Sequence, residues 1–471
     1  MSKASKYIWG IVGNVLPQML HLLGTVILAR ILTPEDFGIV GVLGVFIAIA
    51  NVLIDTGLGG SLVKEKCLSK SDCAAVSVFN IGISVLLYLS IYLAAPYIEQ
   101  FYQLDGLTTI TRCFSIVFIV GAFGLVPRSL LVRDLKFKQL GILSIVAVIL
   151  SSVCAIGTAL RGWNAYALVL YQVLNAFIST IGCIILSRYT FSLRFRKSDF
   201  LKHFSFGFYT TLANVIDAIY DNILVIITGK ISTVNQVGYM SQSKKIQEVS
   251  TSGISLSINN VAFPLLTKFR EEKESFVRES NQLLSTVSLL LFPILVLISI
   301  FAKEVILIVF GEQWIDATPY LSALMVAGIF VILERLIRNY IKSLLLVKEL
   351  LKITILQRLI GLAIIVGMTI SSHKLLIVSY VFASIIVWLI SSMKYTQLLG
   401  ISFKRFLTEQ CRAIVPSFLF FVILKIFSYA MNNIVIMLVI TVVLMIVYYF
   451  IILPQCYSLR IQNIVKGLLT N

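Results

Sequence analysis

Long runs of apolar residues, each close to twenty residues in length, follow one another along almost the whole chain. About 20 apolar residues is the length that an α-helix needs to cross a bilayer. The composition agrees, because 58% of the 471 residues are hydrophobic and only 13% are charged, whereas a soluble domain carries about 25% charged residues. The runs are continuous rather than alternating, which favours helices over a barrel. The sequence therefore predicts an all-α polytopic membrane protein.

About fourteen spans fit the chain at roughly 20 residues each. The first, from Ile8 to Leu32, is longer than the roughly 7–15-residue core of a signal peptide, so we expect it to be retained as a helix. The predicted centres lie near residues 20, 49, 86, 119, 150, 175, 217, 257, 291, 331, 361, 384, 420 and 443.

The positive charges predict the orientation of the chain. If the amino terminus is cytoplasmic, about 27 of the 39 Lys and Arg residues fall in inside segments, as the positive-inside rule requires. Both termini are therefore predicted to be cytoplasmic. A net charge of +17 would suggest nucleic acid for a soluble protein, but these charges are divided among short loops, so we expect no nucleic-acid partner.

An internal repeat predicts two homologous lobes. A shift of 200 residues aligns LARILTPEDFGIVG, which begins at Leu28, with TGKISTVNQVGYMS, which begins at Thr228. At slightly larger offsets, FYQLD from Phe101 resembles FGEQWID from Phe310. Each copy holds six spans, so the copies are parallel. The predicted parts are an N-lobe (1–190, spans 1–6), a cytoplasmic amphipathic linker (191–204), a C-lobe (205–396, spans 7–12) and two further spans with a tail (397–471).

Polar residues form stripes on several predicted spans, and charged groups at mid-bilayer are costly enough to need an explanation. At 100° per residue, the stripe on span one holds Asn14, Gln18, His21 and Thr25, and the stripe on span seven holds Thr210, Asn214, Asp217, Asp221 and Thr228. Two interpretations remain open: the stripes line a water-filled cavity between the lobes, or they satisfy each other between packed helices.

Two other spans carry charged residues. Span two has Asn51 and Asp55 at i, i+4, and span ten has Glu334 and Arg338 at the same spacing, where they could form a structural pair or face the cavity. The sequence contains no P-loop motif, no C-x-x-C and no histidine spacing typical of a metal site. We therefore expect no enzymatic activity, no metal and no cofactor.

Four segments carry a resemblance to a known family: LARILTPEDFG, GLGGSLVKEK, PRSLLVRDLKFKQLG and FGEQWIDATPYL. They resemble the polysaccharide-transporter family of bacterial lipid-linked repeat-unit flippases, within the multidrug/oligosaccharidyl-lipid/polysaccharide exporter superfamily. The resemblance covers nearly the whole chain. It implies two six-helix lobes around a central cavity, alternating access, and transfer of undecaprenyl-diphosphate-linked sugar units across the bacterial inner membrane for polymerisation into lipopolysaccharide, capsule or exopolysaccharide.

The resemblance also implies roles for individual residues. Cations of the cavity would bind the diphosphate and the sugar acids, and the candidates are Arg30, Arg112 and Arg128. Alternatively, Arg30 anchors its helix at the membrane boundary, and Arg128 is a cytoplasmic residue that follows the positive-inside rule. Candidates for proton or sodium coupling are Asp55, Asp217 and Asp221. Membrane lipids and a polysaccharide polymerase are the expected partners, and we expect a monomer.

Two rival functions remain open. A cation-coupled drug antiporter of the same superfamily would share the repeat, but it usually has twelve spans and acidic residues in its first lobe, where this chain has His21. A membrane polysaccharide polymerase or glycosyltransferase would need a substantial outer loop with catalytic groups, and the outer loops here are short.

Overall fold

The computed structural model describes residues 3–55, 58–65, 68–192, 211–212, 214–257, 263–344, 347–410 and 426. Every regular element in these ranges is helical, which confirms the predicted all-α class. The first twelve predicted span centres each fall within a helix. The spans predicted near residues 420 and 443, Thr210 and the predicted linker beyond residue 192 lie outside the described residues.

The first lobe is a bundle of long antiparallel helices joined by short turns. Its helices are α1 (Lys3–Ile31), α2 (Pro34–Asp55), α3 (Leu58–Lys64), α4 (Lys70–Tyr102), α5 (Leu107–Arg133), α6 (Phe137–Ala159) and α7 (Ala165–Ser187). Neighbours in the bundle are α4 with α5, α5 with α7, α1 with α6, and α6 with α7. Helices α2 and α3 belong to one stretch, Pro34–Val63, that is long and apolar enough to cross a membrane.

The second lobe repeats this plan. Residues 214–221 are helical and continue into α8 (Ile223–Ile231), followed by α9 (Val234–Ser257), α10 (Phe263–Lys268), α11 (Lys273–Ile300), α12 (Ala302–Val309), α13 (Thr318–Ser343), α14 (Val347–Ser371) and α15 (Leu376–Leu399), with 3-10 turns at Glu312–Ala317 and His373–Leu375. Helix α13 is central, because it packs on α9, α11, α14 and α15.

Nine helical stretches in the described part of the chain are long and apolar enough to cross a membrane by themselves. Helix α9 is not among them, since its sequence VNQVGYMSQSKKIQEVSTSG is largely polar. Such a helix is stable at membrane depth only where its polar face meets protein or a water-filled space. The position of α9 in the fold therefore marks the polar interior of the molecule.

The lobes meet where α2 packs against α9. These helices follow the two turns of the internal repeat, and they cross at Gly38 and Gly238. A Cβ atom on Gly38 would overlap the carbonyl oxygen of Val234, and one on Gly238 would overlap that of Pro34. Positions equivalent under the 200-residue shift therefore touch each other directly, at the helix ends that are predicted to face outward.

Helix α4 begins with a capping box. The Ser69 hydroxyl accepts from the Asp72 amide at 3.0 Å, and the Asp72 carboxylate accepts from the Ser69 amide at 2.8 Å. We expect Ser69→Ala to lower the free energy of unfolding by about 1 kcal/mol, and Ser69→Gly by only a few tenths, because glycine is itself a good N-cap residue. The melting temperature of the purified protein in detergent should be highest for the wild type, lower for Ser69→Gly and lowest for Ser69→Ala. A higher melting temperature for Ser69→Ala than for Ser69→Gly would contradict this account of the cap.

Candidate functional site

A cavity of about 370 Å³ lies between the two lobes. The first lobe contributes α1, α2, α5 and α7, and the second contributes α9 and the start of α8. The polar residues of the lining are His21, Thr25, Asn51, Tyr171, Gln172, Asn222, Ser241, Gln242, Lys244, Lys245 and Glu248. The Gly38–Gly238 crossing lies beyond one end of this cavity, and Gly41 and Ser241 line the cavity at that end. Asn51 and Glu248 line the cavity further along the same helices, and both residues are exposed.

The lengths of its helices predict that the cavity reaches the middle of the bilayer. His21 lies ten residues before the end of α1, and Lys245 lies eleven residues after the start of α9. At 1.5 Å per residue, both are roughly 15 Å from the outward helix ends, which is half of a hydrocarbon core of about 30 Å. The polar groups therefore occupy a depth at which lipid could not solvate them.

Two adjacent lysines of α9 differ in their partners. The Lys244 ammonium donates to the main-chain carbonyl of Asp221 and to the Asn222 side chain at 3.3 Å, and it lies 3.9 Å from the Glu248 carboxylate. The Lys245 ammonium instead crosses to the other lobe and donates to the Thr25 hydroxyl at 2.9 Å. Among the residues that the structure describes, none places a carboxylate within salt-bridge distance of Lys245. It is thus a cation held at the cavity by a neutral partner.

His21 belongs to the wall opposite these lysines. Its ring stacks on that of Tyr171, with centroids 5.0 Å apart, and its Nδ1 is hydrogen-bonded to the Tyr171 hydroxyl. Its main-chain carbonyl accepts from the Thr25 hydroxyl at 2.7 Å. The structure thus places His21 on the cavity, as its stripe predicted. Gln18 is half-buried in α1 and is not part of the lining, and of Asn14 only the helical backbone is described.

A second charged cluster lies inside the C-lobe. Asp217 accepts from Arg338 at 2.8 and 3.2 Å and from Arg358 at 2.8 Å. Glu334 lies 3.6 Å from Arg338 and 4.0 Å from Arg358, and the Arg358 guanidinium lies over the Tyr220 ring at 4.4 Å. The four charges of Asp217, Glu334, Arg338 and Arg358 balance within one lobe. Of the two readings of Glu334 and Arg338, the observed ion pair matches the structural one.

The described residues of the span-seven stripe do not line this cavity, although Asp221 lines a small separate cavity within the C-lobe. Asp217 faces α13 and α14, and Asp221 lies 3.9 Å from Arg335 of α13. Thr228 is buried and bonds its own helix, and Asn214 is exposed without being part of the lining. The reason is that the arginines of α13 and α14 neutralise these carboxylates within the lobe. Asp55 is the last residue of α2, and its side chain lies outside the described structure.

The three arginines predicted to meet the substrate also lie away from the cavity lining. Arg30 is exposed at the end of α1 and donates to the main-chain carbonyls of Ile308 and Val309. Arg112 donates to the Tyr92 carbonyl at 3.4 Å and covers the Tyr92 ring at 4.3 Å. Arg128 is exposed near the end of α5 that is predicted to be cytoplasmic. The alternatives of a boundary anchor for Arg30 and a positive-inside residue for Arg128 agree better with these positions.

Sequence reasoning missed Lys244, Lys245 and Arg358. The lysines gave little signal, because SKKIQE begins at Ser243 and lies before the predicted span centre near residue 257 by about half of a roughly 20-residue span. The two cations are therefore expected at the outer end of that span and not inside the membrane. Arg358 was hidden, since nothing in its own helix indicates that its partner is Asp217 on another span.

Comparison with solved structures identifies the class of fold. The structure is similar to the lipid II flippase MurJ in its inward closed conformation, with a TM-score of 0.75, 14% identity, and coverage of 95% of this chain and 99% of that one. It is also similar to a multidrug resistance transporter of the MATE family in its inward-facing conformation, with a TM-score of 0.62, 14% identity, and coverage of 84% and 99%. The chain therefore has the MurJ and MATE transporter fold, with two lobes around a central cavity.

Comparison with sequences identifies the family. A family model described as polysaccharide biosynthesis protein matches residues 27–319, which is more than half of the chain, so the chain belongs to that family. It is 26% identical over 350 residues to an uncharacterized membrane protein in the cps region of Klebsiella pneumoniae, covering 74% of this chain and 71% of that protein. It is 25% identical over 342 residues to the lipopolysaccharide biosynthesis protein WzxC of Escherichia coli, covering 72% and 69%.

These findings confirm the resemblance seen in the sequence. Relatives and structural neighbours whose names state an activity are transporters or flippases, such as the succinoglycan biosynthesis transport protein ExoT of Rhizobium meliloti. The prediction that the chain is not an enzyme is confirmed on the same ground.

The charged cluster of the C-lobe predicts a stability effect. We expect Asp217→Asn to destabilise the protein by about 3–5 kcal/mol, because removing one partner of a buried ion pair leaves the other charge uncompensated. The matched control is Asp134→Asn, whose exposed pair with Lys136 at 3.3 Å should contribute about 1 kcal/mol or less. Thermal unfolding in detergent measures both. An Asp217→Asn protein that melts with wild type but no longer transports would contradict a structural role and favour the predicted ion-coupling role.

Proposed function

We propose that the protein translocates undecaprenyl-diphosphate-linked oligosaccharide repeat units from the cytoplasmic to the outer leaflet of the bacterial inner membrane. Translocation proceeds by alternating access of the central cavity, and the product enters biosynthesis of a surface polysaccharide such as lipopolysaccharide, capsule or exopolysaccharide. The observation that carries this proposal is the position of Lys245, a cation without a carboxylate partner among the described residues, in a cavity between two lobes at mid-bilayer depth.

The chemistry of the cavity suits a diphosphate. Holding a lysine at the centre of a membrane costs roughly 2.5–3.5 kcal/mol on insertion scales. A lysine there without a carboxylate at salt-bridge distance among the described residues therefore favours an anionic ligand. A lysine binds phosphate as a compact charge, and charge-assisted bonds of this kind are about twice as strong as neutral ones. Lys244 could add a second cation by releasing Glu248, from which it is 3.9 Å away.

The size of the cavity limits what it can enclose. A volume of about 370 Å³ is at the lower end of the roughly 300–1,000 Å³ of small-molecule sites. It suits a diphosphate with its first sugars rather than a whole lipid-linked unit. The polyprenyl chain would stay in the bilayer, while hydroxyls of the sugars meet Asn51, Gln172 and Gln242 of the lining.

The relatives support the same class of cargo. Their names place them in lipopolysaccharide, teichuronic acid and succinoglycan biosynthesis, and the structural neighbour MurJ is named a lipid II flippase. These are different glycans, which agrees with recognition of a shared lipid-diphosphate group rather than of one sugar. Coupling to protons or sodium through Asp55, Asp217 or Asp221, the polymerase partner and the monomeric state remain predictions.

A drug antiporter is the second candidate, since the MATE transporters share the fold. The lining favours an anionic cargo instead, because Lys244 and Lys245 outnumber the carboxylate of Glu248. A cationic drug would meet like charge at the middle of the cavity.

The proposal is tested in a strain that lacks the gene and still makes the lipid-linked glycan. Wild-type protein should move complete repeat units to the outer leaflet, where a membrane-impermeant probe reaches them. We expect Lys245→Gln to reduce this transfer about tenfold or more, because a hydrogen bond to a charged group contributes about 1.5–3 kcal/mol. Lys245→Arg should retain most of it. The matched control is Lys303→Gln, an exposed lysine of α12, which should transfer normally.

Each alternative outcome contradicts the proposal differently. If the strain that lacks the gene still transfers the glycan normally but does not extend the polysaccharide chain, the protein is a polymerase or glycosyltransferase. If that strain has an unchanged pool of lipid-linked glycan and becomes sensitive to drugs, the protein is an antiporter. If the Lys245→Gln and Lys303→Gln variants transfer the glycan equally well, Lys245 does not bind the diphosphate.

A further inference from the structure

We infer that Arg30 and Lys230 are paired latches of an outer gate, which closes the cavity where α2 crosses α9 and opens during transport. This inference rests on the alternating access of the proposed function. We define the outer gate as Arg30, Lys230, Gly38, Gly238 and the Gln313–Trp314 pair. None of these residues lines the cavity, and each contacts the opposite lobe.

The two latches are equivalent under the internal repeat. Arg30, at the end of α1, donates to the Val309 carbonyl at 3.3 Å and to that of Ile308. Lys230, 200 residues later at the end of α8, donates to the Phe101 carbonyl at 3.0 Å, and its ammonium lies over the Phe101 ring at 4.2 Å. Each cation leaves its own lobe and binds the other, so the contacts are reciprocal.

Both latches bind the same kind of acceptor. Val309 is the last residue of α12, and Phe101 is the last but one of α4. The last carbonyls of a helix have no partner within the helix and carry the negative end of its dipole, so they attract cations. The segments FYQLD and FGEQWID correspond in the repeat and align Phe101 with Phe310. The acceptors therefore lie at the same helix end of each lobe, within one or two residues of equivalent positions.

The C-lobe adds a third contact next to the glycine crossing. The Trp314 indole donates to the Ala29 carbonyl at 2.8 Å, and the Gln313 amide donates to the carbonyls of Ala29 and Leu32 at 2.8 and 3.2 Å. The Trp314 ring meets the edge of Phe37 at 5.3 Å. The end of α1 is therefore held by side chains from the other lobe.

The chemistry of these contacts allows the gate to open. Arg30 and Lys230 are exposed, so water can take the place of each carbonyl when the lobes separate. No carboxylate is buried by the latches, and the charged cluster around Asp217 lies within one lobe and need not break. The glycines, by contrast, tolerate no side chain while the helices cross. Closure of the outer gate thus depends on Gly38 and Gly238, and Arg30 and Lys230 favour the closed state.

The experiment measures access to the cavity from outside, without any transport. In a protein whose seven native cysteines are replaced by serine, Ser241→Cys places one thiol on the lining just beneath the crossing. A membrane-impermeant thiol reagent is added to intact cells. We expect slow labelling in this parent, and labelling about tenfold faster with Gly38→Ala, since the added Cβ prevents closure. The matched control is Gly82→Ala, where a Cβ meets nothing within 4 Å; it should label like the parent.

The latches are tested in the same parent. Arg30→Gln with Lys230→Gln should raise the labelling rate several-fold, and each single change should raise it less. Arg30→Lys with Lys230→Arg should label like the parent, because a cation remains at each position. Gel filtration of each variant in detergent verifies that it is folded, and the double variant keeps the test decisive if Gly38→Ala does not fold.

Equal labelling of the parent, the folded double glutamine variant and any folded Gly38→Ala protein would overturn the gate. The proposed function fails separately: lipid-linked glycans that never reach the outer leaflet with wild-type protein would overturn the cargo while leaving the labelling pattern intact.

Discussion

The arrangement of the molecule depends on one backbone contact, the crossing of α2 and α9 at Gly38 and Gly238. Because neither residue has a side chain, the two lobes approach until the main chain of one meets the other. This approach brings Lys245 of one lobe within 2.9 Å of Thr25 of the other and leaves a cavity beneath the crossing. A larger residue at either position would separate the walls that the polar lining shares between lobes.

Two groups of charges perform opposite tasks. Within the C-lobe, Asp217, Glu334, Arg338 and Arg358 neutralise each other and hold three spans together. At the interface between lobes, Lys245 donates to the Thr25 hydroxyl, and no carboxylate of the described residues lies within salt-bridge distance of it, at a depth where an unpaired charge is costly. In the proposed function, the first group keeps a lobe together as it moves, and the second provides the attraction for an anionic cargo. The difference between the two groups matters in a bilayer, because a charge there is destabilising when neither a partner nor water solvates it.

The features that could be predicted from the sequence are those that depend on the length and periodicity of its segments. Twelve span centres predicted from the apolar runs fall within helices, and nine helical stretches of the described residues are long and apolar enough to cross a membrane. The 200-residue repeat identified the two lobes and the turns that meet at the crossing. His21 was placed correctly by its stripe. Partners across helices could not be predicted: Asp217 binds arginines 121 and 141 residues away, and the face of one helix does not reveal which neighbour it meets. The contacts of Arg30 could not be predicted either, because its acceptors are main-chain carbonyls, which every sequence contains.

The central claim is that the two lobes move against each other about the cavity when the cargo binds. Spin labels at Arg161 and His373, on exposed turns of opposite lobes at the side predicted to face outward, report this motion through the distance between them in lipid nanodiscs. The account predicts a short distance without cargo and a second, longer population when undecaprenyl-diphosphate-linked glycan is added, with the second population lost in Lys245→Gln. A single distance that the glycan leaves unchanged would contradict it.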